Sequence, residues 1–311
     1  MSRSLLRGGL LALFVLASCT VVPPEPPRPL PTAELPPVAA APAPAPTPTS
    51  PPVPTFSGPA TFTYVGELTQ GGWIRGQVPG GTVSARLGDQ ALAIAPDGSF
   101  FAAFDRDAPP AAELLSTLAD GRQVIASFAV SPRAWQIERV NVARSPGGAT
   151  AAFMELRRPE LARINAARVV DAPSDGWRRS FVWPARGRIS GRFGSQRIYR
   201  GGEEGAYHSG LDIAGGAGTV YVAPADGVVT LAATTPFSLE GYLLIIDHGQ
   251  GLNSAFLHSS ALLVREGDVV RQGQPLGRIG ATGRATGPHL HWSIKWRDAR
   301  LDPLLFLPPQ S

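Results

Sequence analysis

Between residues 60 and 144 the chain alternates short apolar and aromatic runs with turn signals. The runs cover residues 61–68, 73–78, 82–87, 91–95 and 99–104, separated by Gly71-Gly72, Pro79-Gly80-Gly81, Gly88-Asp89 and Pro96-Asp97-Gly98. Turns every six to ten residues predict a small antiparallel β domain over 59–144. That stretch contains no His or Cys and no paired carboxylates. Asp105, Arg106 and Asp107 read as a charged loop at a strand end. Further on, Leu161, Ile164 and the alanines between them predict a short helix over 159–170, opened by Pro159 at its first turn. It sits in a helical linker, 145–180, between two β units. Residues 181–184 and 187–194 again read as short strands with glycine-permitted bends.

The first 54 residues follow neither pattern. Arg3 and Arg7 precede an apolar run of ten, Gly8 to Ala17, which predicts a secretory signal over 1–18. The run is too short to span a bilayer, which takes about 20 residues. Leu16-Ala17-Ser18-Cys19 is similar to the lipobox of bacterial lipoproteins, so Cys19 is the expected lipid anchor. Thr20 follows where an Asp would retain a Gram-negative lipoprotein in the inner membrane, and the expected location is the periplasmic face of the outer membrane. From Pro23 to Pro54, 15 of 32 residues are Pro and no hydrophobic period is visible, so 19–58 reads as the lipidated Cys with an extended tether. A ligand for a proline-binding module is the other reading of such a segment.

Composition narrows the chemistry. Pro (32) and Gly (35) supply about a fifth of the 311 residues, which argues against a helical bundle. Lys and Arg number 28 against 24 acidic residues, too diffuse an excess to imply a nucleic-acid partner. The single cysteine excludes a disulfide framework and a thiolate zinc site, leaving His and carboxylate as metal donors. All five histidines, His208, His248, His258, His289 and His291, lie within the last 104 residues.

His289-Leu290-His291 stands in an apolar, strand-forming stretch, so both imidazoles face one side and Leu290 the other. Two neutral imidazoles side by side suit a divalent ion or shared polar atoms of a substrate; core histidines bonded to backbone are the plainer alternative. Upstream, His208 and Asp212 are four apart around Gly210. In a regular strand they would be roughly 13 Å apart, so sharing one ion requires a bend near Gly210. His248, after Ile245-Ile246-Asp247, reads as structural at a hairpin turn, and Asp247 and Asp226 as turn residues.

Taken together, His208-Ser209-Gly210-Leu211-Asp212-Ile213-Ala214, Ala223-Pro224-Ala225-Asp226-Gly227-Val228-Val229, His258, the 267–274 segment and Gly283-Arg284-Ala285-Thr286-Gly287-Pro288-His289-Leu290-His291 resemble the lysostaphin/LytM family of zinc peptidases. The resemblance covers about 181–306. It implies an all-β fold in which two antiparallel sheets frame a zinc groove, the peptidase unit occupying 181–311. It also implies one Zn²⁺ held by His208, Asp212 and His291, with a fourth position open to water, as in catalytic rather than structural sites. His258 and His289 would line the site as catalytic residues, His258 being preferred over His289 as general base. Phe256 stands where the family commonly has Tyr, and Tyr199 is a candidate phenol for the oxyanion.

The implied activity is zinc-dependent murein endopeptidase, cutting the D-alanine to meso-diaminopimelate cross-link in a Gram-negative wall. The implied partners are peptidoglycan stem peptides and a membrane reached through Cys19. Arg197, Arg200 and Arg284 are candidates for the stem-peptide carboxylates, with surface solvation as the alternative. Some LytM-like domains instead switch on cell-wall amidases after losing ligands, which makes an amidase or regulatory partner the second reading. The retention of all three ligands and both site histidines favours the enzyme. A structural zinc module is the third reading, weakened by having just three protein ligands.

Overall fold

The computed structural model describes residues 56–143 and 150–310. The expected signal segment, Cys19 and the Pro-rich tether lie outside the described residues. Among them, seven strands come first: β1 (Thr63–Gly66), β2 (Trp73–Gln77), β3 (Thr82–Leu87), β4 (Gln90–Ala91), β5 (Ser99–Ala103), β6 (Ala111–Leu118) and β7 (Gln123–Ala129). They pair as two antiparallel sheets, β1-β2-β5 and β4-β3-β6-β7. The run at 91–95 contributes only Ala91 to β4, because its remainder leads directly into the Pro96-Asp97-Gly98 turn.

Next come β8 (Ile137–Arg139) and α1 (Ala151–Arg168). The helix starts earlier than its apolar spacing suggests, so Pro159 lies in its interior rather than in its first turn. Thr150 is the true cap, its hydroxyl accepting from the Phe153 N–H at 3.1 Å. A proline inside a helix removes a backbone bond; side chains flanking it hold this turn. Arg157 forks onto Glu240, with Nη1 2.7 Å from Oε2, and also reaches Glu160 at 2.7 Å. Glu160 in turn accepts from the Ser238 N–H and hydroxyl, both at 2.6 Å. Ile164 and Ala167 pack on Leu231, Ala233, Leu243, Ile245 and Ala255, so α1 lies against the second half of the chain.

That half contains β9 (Arg188–Gly191), β10 (Gln196–Ile198), β11 (Leu211–Ala214), β12 (Val220–Val222), β13 (Gly227–Ala232), β14 (Tyr242–Asp247), β15 (Leu252–Ser259), β16 (Ala261–Leu262), β17 (Val269–Val270), β18 (Pro275–Arg278), β19 (His289–Trp296) and β20 (Ala299–Leu301). The large antiparallel sheet runs β17-β13-β14-β15-β19-β11-β9, with β20 on β19, and a smaller one runs β12-β18-β16. The molecule is therefore mostly antiparallel β with one helix among the described residues, as expected. One pair departs from that rule, since β10 lies parallel to β8. Residues 181–184 form no strand; they run past the end of β12, the Val222 N–H donating to Pro184 O at 2.8 Å and the Val182 N–H to Pro224 O at 2.9 Å.

The strand period sorts β19 into two faces. Leu290, Trp292, Ile294 and Trp296 are buried in the core, while His289, His291, Ser293 and Lys295 occupy the opposite face. The core side is one continuous cluster that reaches from Phe62 and Leu114 through Phe101 and Trp296 to Phe306. Trp73 stacks near Phe101 at 6.1 Å and Phe306 at 5.3 Å, and its Nε1–H donates to Leu305 O at 3.0 Å. The early sheets thus share a core with the large sheet and do not enclose a separate one.

Asp247 is buried at the end of β14, where its Oδ2 accepts from the Ala172 N–H at 2.8 Å. It thus ties the segment after α1 to the sheet, a wider role than a turn residue's. Burial pushes its carboxyl up from 3.8 to about 6. The folded protein then holds this proton more tightly than the unfolded chain, so stability falls as pH rises from about 4 to 6, by an amount on the order of 3 kcal/mol. Asp247→Asn keeps the acceptor and removes the charge. Its thermal midpoint is expected several degrees above the parent's at pH 8 and equal to it at pH 4; equal midpoints at both pH values would remove the argument.

Candidate metal and catalytic site

The antiparallel register of β11 against β19 sets Asp212 directly opposite His291. Cross-strand partners share a face, so Asp212 projects beside the histidine pair. His208 arrives by the bend that the spacing requires. A Cβ on Gly210 would meet Trp292 O at 2.6 Å and His291 Nε2 at 2.7 Å, so only glycine lets the chain pass here. Backbone bonds from Gly194 N–H to His208 O and from His208 N–H to Ser195 O, both 2.8 Å, fix the approach.

The result is a tight triangle of donors. His208 Nε2 lies 3.1 Å and His291 Nδ1 2.8 Å from Asp212 Oδ1, and the two nitrogens are 3.1 Å apart. Among the described residues these three form the one His/Cys/Asp/Glu group whose ligand atoms all lie within 4.8 Å of one another. Ligands at 2.0–2.1 Å around a tetrahedral cation stand on the order of 3.3 Å apart, which is close to this spacing. His208 Nδ1–H donates to Arg192 O at 3.1 Å, turning the Nε2 lone pair toward the triangle. The donor set, two imidazoles and one carboxylate, fits zinc.

The electrostatics agree with that geometry. Burial opposes ionisation of Asp212, but hydrogen bonds and charge from His208 and His291 outweigh it and hold the carboxyl far below its usual range. Burial would lower His208, yet Asp212 overrides it and the pKa is raised. His291, with burial dominant, is lowered.

Two further histidines complete the face. His289 Nε2 lies 3.7 Å from Asp212 Oδ1, and its Nδ1–H donates to Gly287 O at 2.8 Å. The His258 ring is centred 5.0 Å from His289 and 6.3 Å from His291. Its Nδ1–H donates to Thr282 O at 2.8 Å, which leaves Nε2 as the basic atom, and burial lowers its pKa. A neutral imidazole with an oriented lone pair is what a general base requires.

His258 has φ of +65°, a left-handed conformation that costs a non-glycine residue roughly 1–2 kcal/mol. Neighbouring groups impose it: the His258 N–H donates to Glu240 O at 2.8 Å, and the Thr282 N–H reaches His258 O at 3.4 Å. Glu240 is the residue clamped by Arg157 of α1, so the linker helix lies two contacts from His258. Arg106 supplies a comparable brace for His208. It is only 6% exposed and donates to Gly194 O at 3.0 Å and to Gln196 Oε1 at 3.1 Å, with its guanidinium 4.5 Å from the Tyr207 ring. The charged loop expected at Asp105–Asp107 does follow a strand, β5, and through Arg106 it also anchors the segment that positions His208.

Other candidates lie elsewhere. His248 is fully buried with both nitrogens engaged, by Asp226 O at 2.7 Å and Ser254 Oγ at 2.8 Å. Phe256 faces the core, stacked between Tyr221 at 5.3 Å and Trp292 at 6.5 Å, so a hydroxyl at its ring would point away from the histidines. Arg197 pairs with Glu138 at 2.6 Å and Arg200 with Asn141 at 3.1 Å, tying the β10 region to the β8 region. Tyr199 sits on that same hairpin beside Gly205, and Arg284 is exposed.

Residues 206–303 match the model of peptidase family M23. The chain is 37% identical over 139 residues to the murein hydrolase activator NlpD of Salmonella typhimurium, covering 44% of this chain and 33% of that protein. It is 36% identical over 127 residues to the peptidoglycan DD-endopeptidase ShyA of Vibrio cholerae, covering 40% and 29%. It thus spans a third or less of the length of these two relatives. The crystal structure of a Pseudomonas aeruginosa protein assigned to peptidase M23 superposes with a TM-score of 0.57 at 27% identity, covering 76% of this chain and 94% of the other. That span is too long for the large sheet alone, so it takes in the early sheets as well.

Removing Arg157 leaves Glu240 and Glu160 poorly solvated without their cation. Arg157→Met is expected to lower unfolding stability by about 3 kcal/mol in urea titration, and Arg157→Met with Glu240→Gln to recover part of the loss. A single variant as stable as the parent would show that the clamp carries no weight.

Proposed function

From a chain that carries a peptidase family M23 domain of the LytM/lysostaphin type, we propose a zinc-dependent endopeptidase of peptidoglycan that hydrolyses the D-alanine to meso-diaminopimelate cross-link. The observation that carries this reading is the convergence of His208, Asp212 and His291 within ligand distance beside two further histidines with oriented nitrogens. Zinc, when bound, supplies Lewis acidity and a water that can be deprotonated near neutral pH. His208 Nε2, Asp212 Oδ1 and His291 Nδ1 would hold it.

The remaining steps belong to the chain. His258 Nε2 takes the proton of the attacking water, its ring held by Thr282 O through Nδ1–H. His289, its ring held by Gly287 O and its Nε2 3.7 Å from Asp212 Oδ1, lines the side on which the peptide oxygen becomes negative as its carbon turns tetrahedral. The proton held by His258 then passes to the departing amine. Asp212 supplies the one negative charge among the three donors, so that two imidazoles and a cation can coexist in a half-buried space. The reading extends to a lipid anchor at Cys19 on the periplasmic face of the outer membrane, with the Pro-rich segment as a leash.

The rival reading, an activator of cell-wall amidases, is favoured by the likeness to a protein named as a murein hydrolase activator. Cross-linked muropeptide dimers separate the two. With purified zinc-loaded protein, dimers are expected to become monomers. Chelation stops this and zinc restores it. Asp212→Ala abolishes cleavage while remaining folded, and His258→Ala retains zinc and loses on the order of 10²–10⁴ in kcat. Intact dimers, together with stimulation of an added amidase, would establish the activator instead.

A further inference from the structure

The face of β19 that carries His289 and His291 continues through Ser293 to Lys295. Four residues of strand place Lys295 about 13 Å from His291, the length of about four extended peptide residues. The strand register sets Lys295 between Asn253 of β15 and Arg300 of β20, so two like charges stand directly opposite each other. Arg168, in the last turn of α1, donates to Asn253 Oδ1 at 2.8 Å and joins the row from the helix side.

Arg168, Lys295 and Arg297 line one cavity of about 580 Å³, together with Gln250 and the exposed Asp171 and Asp298. Among the described residues, none of these three cations lies within 4.0 Å of a carboxylate, whereas Arg157, Arg178 and Arg133 all do. The helix C-terminus accounts for a cation at Arg168, but not for Lys295 and Arg297 on and beside a strand. In this lining the buried donor Arg297 Nε has no acceptor and the buried acceptor Gln250 Oε1 has no donor, and Asn253 Nδ2, across the strand register from Lys295, also lacks an acceptor. Burial first, then neighbouring cations, push Arg168 down to about 10 and lower Lys295, although Asp298 and Asp105 oppose the shift on Lys295. Arg168 has Asn253 Oδ1 and Arg297 lies 5.4 Å from the centre of the Trp296 ring, but no carboxylate neutralises the three, and half-buried cations in that position are costly unless an anion joins them.

We infer that this cavity is an anion subsite that takes a free carboxylate of the peptide substrate, several residues from the bond being cut. The identity of the ligand as a peptide rests on the endopeptidase reading; the subsite rests on the cavity and its cations. Its occupancy would favour uncapped acidic peptides and fix the direction in which the chain crosses the histidines.

The test uses the full chain carrying Asp212→Ala, so that binding is read without turnover. The probe is a cross-linked stem-peptide dimer with free carboxylates, compared by calorimetry with the same peptide amidated. The free form is expected to bind about tenfold tighter. Lys295→Met and Arg297→Met, tested separately and each checked by thermal midpoint, are expected to remove that preference without altering affinity for the amidated form. Equal binding of the two peptides, or a preference that survives both substitutions, overturns the inference. So does inorganic phosphate binding more tightly than the peptide at the same residues, which would assign the cavity to a phosphate group. Failure of the parent to cleave dimers would count against the endopeptidase reading alone, because this comparison involves no cleavage.

Discussion

One carboxylate oxygen organises this molecule. Asp212 Oδ1 is approached by His208 and His291 at about 3 Å, and by His289 slightly farther out. Gathering an acid and three imidazoles in a half-buried space is unfavourable unless their lone pairs meet a cation, since each group loses water that its neighbours replace only in part. Much of the surrounding architecture serves this convergence. The β11–β19 register puts Asp212 opposite His291, the Gly210 bend admits His208, and the carbonyls of Arg192, Gly287 and Thr282 set the tautomers.

The large sheet does not hold the site by itself. His208 is steadied through Gly194 and Gln196 by Arg106, which belongs to the early sheets, and His258 is kept in a left-handed conformation through Glu240 by Arg157 of the linker helix. Both arginines are buried and hydrogen-bonded, so each couples packing far along the chain to the geometry of one imidazole. The shared aromatic core around Trp73, Phe101 and Phe306 gives those contacts a common frame. Movement of the early sheets or of α1 would therefore be felt at the histidines.

What the sequence revealed follows from the range of the interactions involved. The pairing of His289 with His291 on one face is a period-two property, readable from three residues, and the bend at Gly210 follows from the distance between His208 and Asp212. The antiparallel class is visible in the turn spacing. Apolar spacing alone places the helix start at Pro159, whereas the Thr150 hydroxyl caps the first turn. The anchoring role of Arg106 has no local signal, because its partners, Gly194 and Gln196, lie about 90 residues away. The Arg157–Glu240 clamp, 83 residues apart, carries no local signal at all. The strained φ of His258 is equally invisible, since it is imposed by Glu240 and Thr282 from two other loops.

The central claim is that His208, Asp212 and His291 form one cation site with a position left open for water. X-ray absorption at the zinc edge on the zinc-loaded protein tests it most directly. The account predicts two nitrogen donors and one or two oxygen donors at about 2.0–2.2 Å, with the imidazole scattering reduced in His291→Ala. A spectrum with four imidazoles, or one that His291→Ala leaves unaltered, would contradict it.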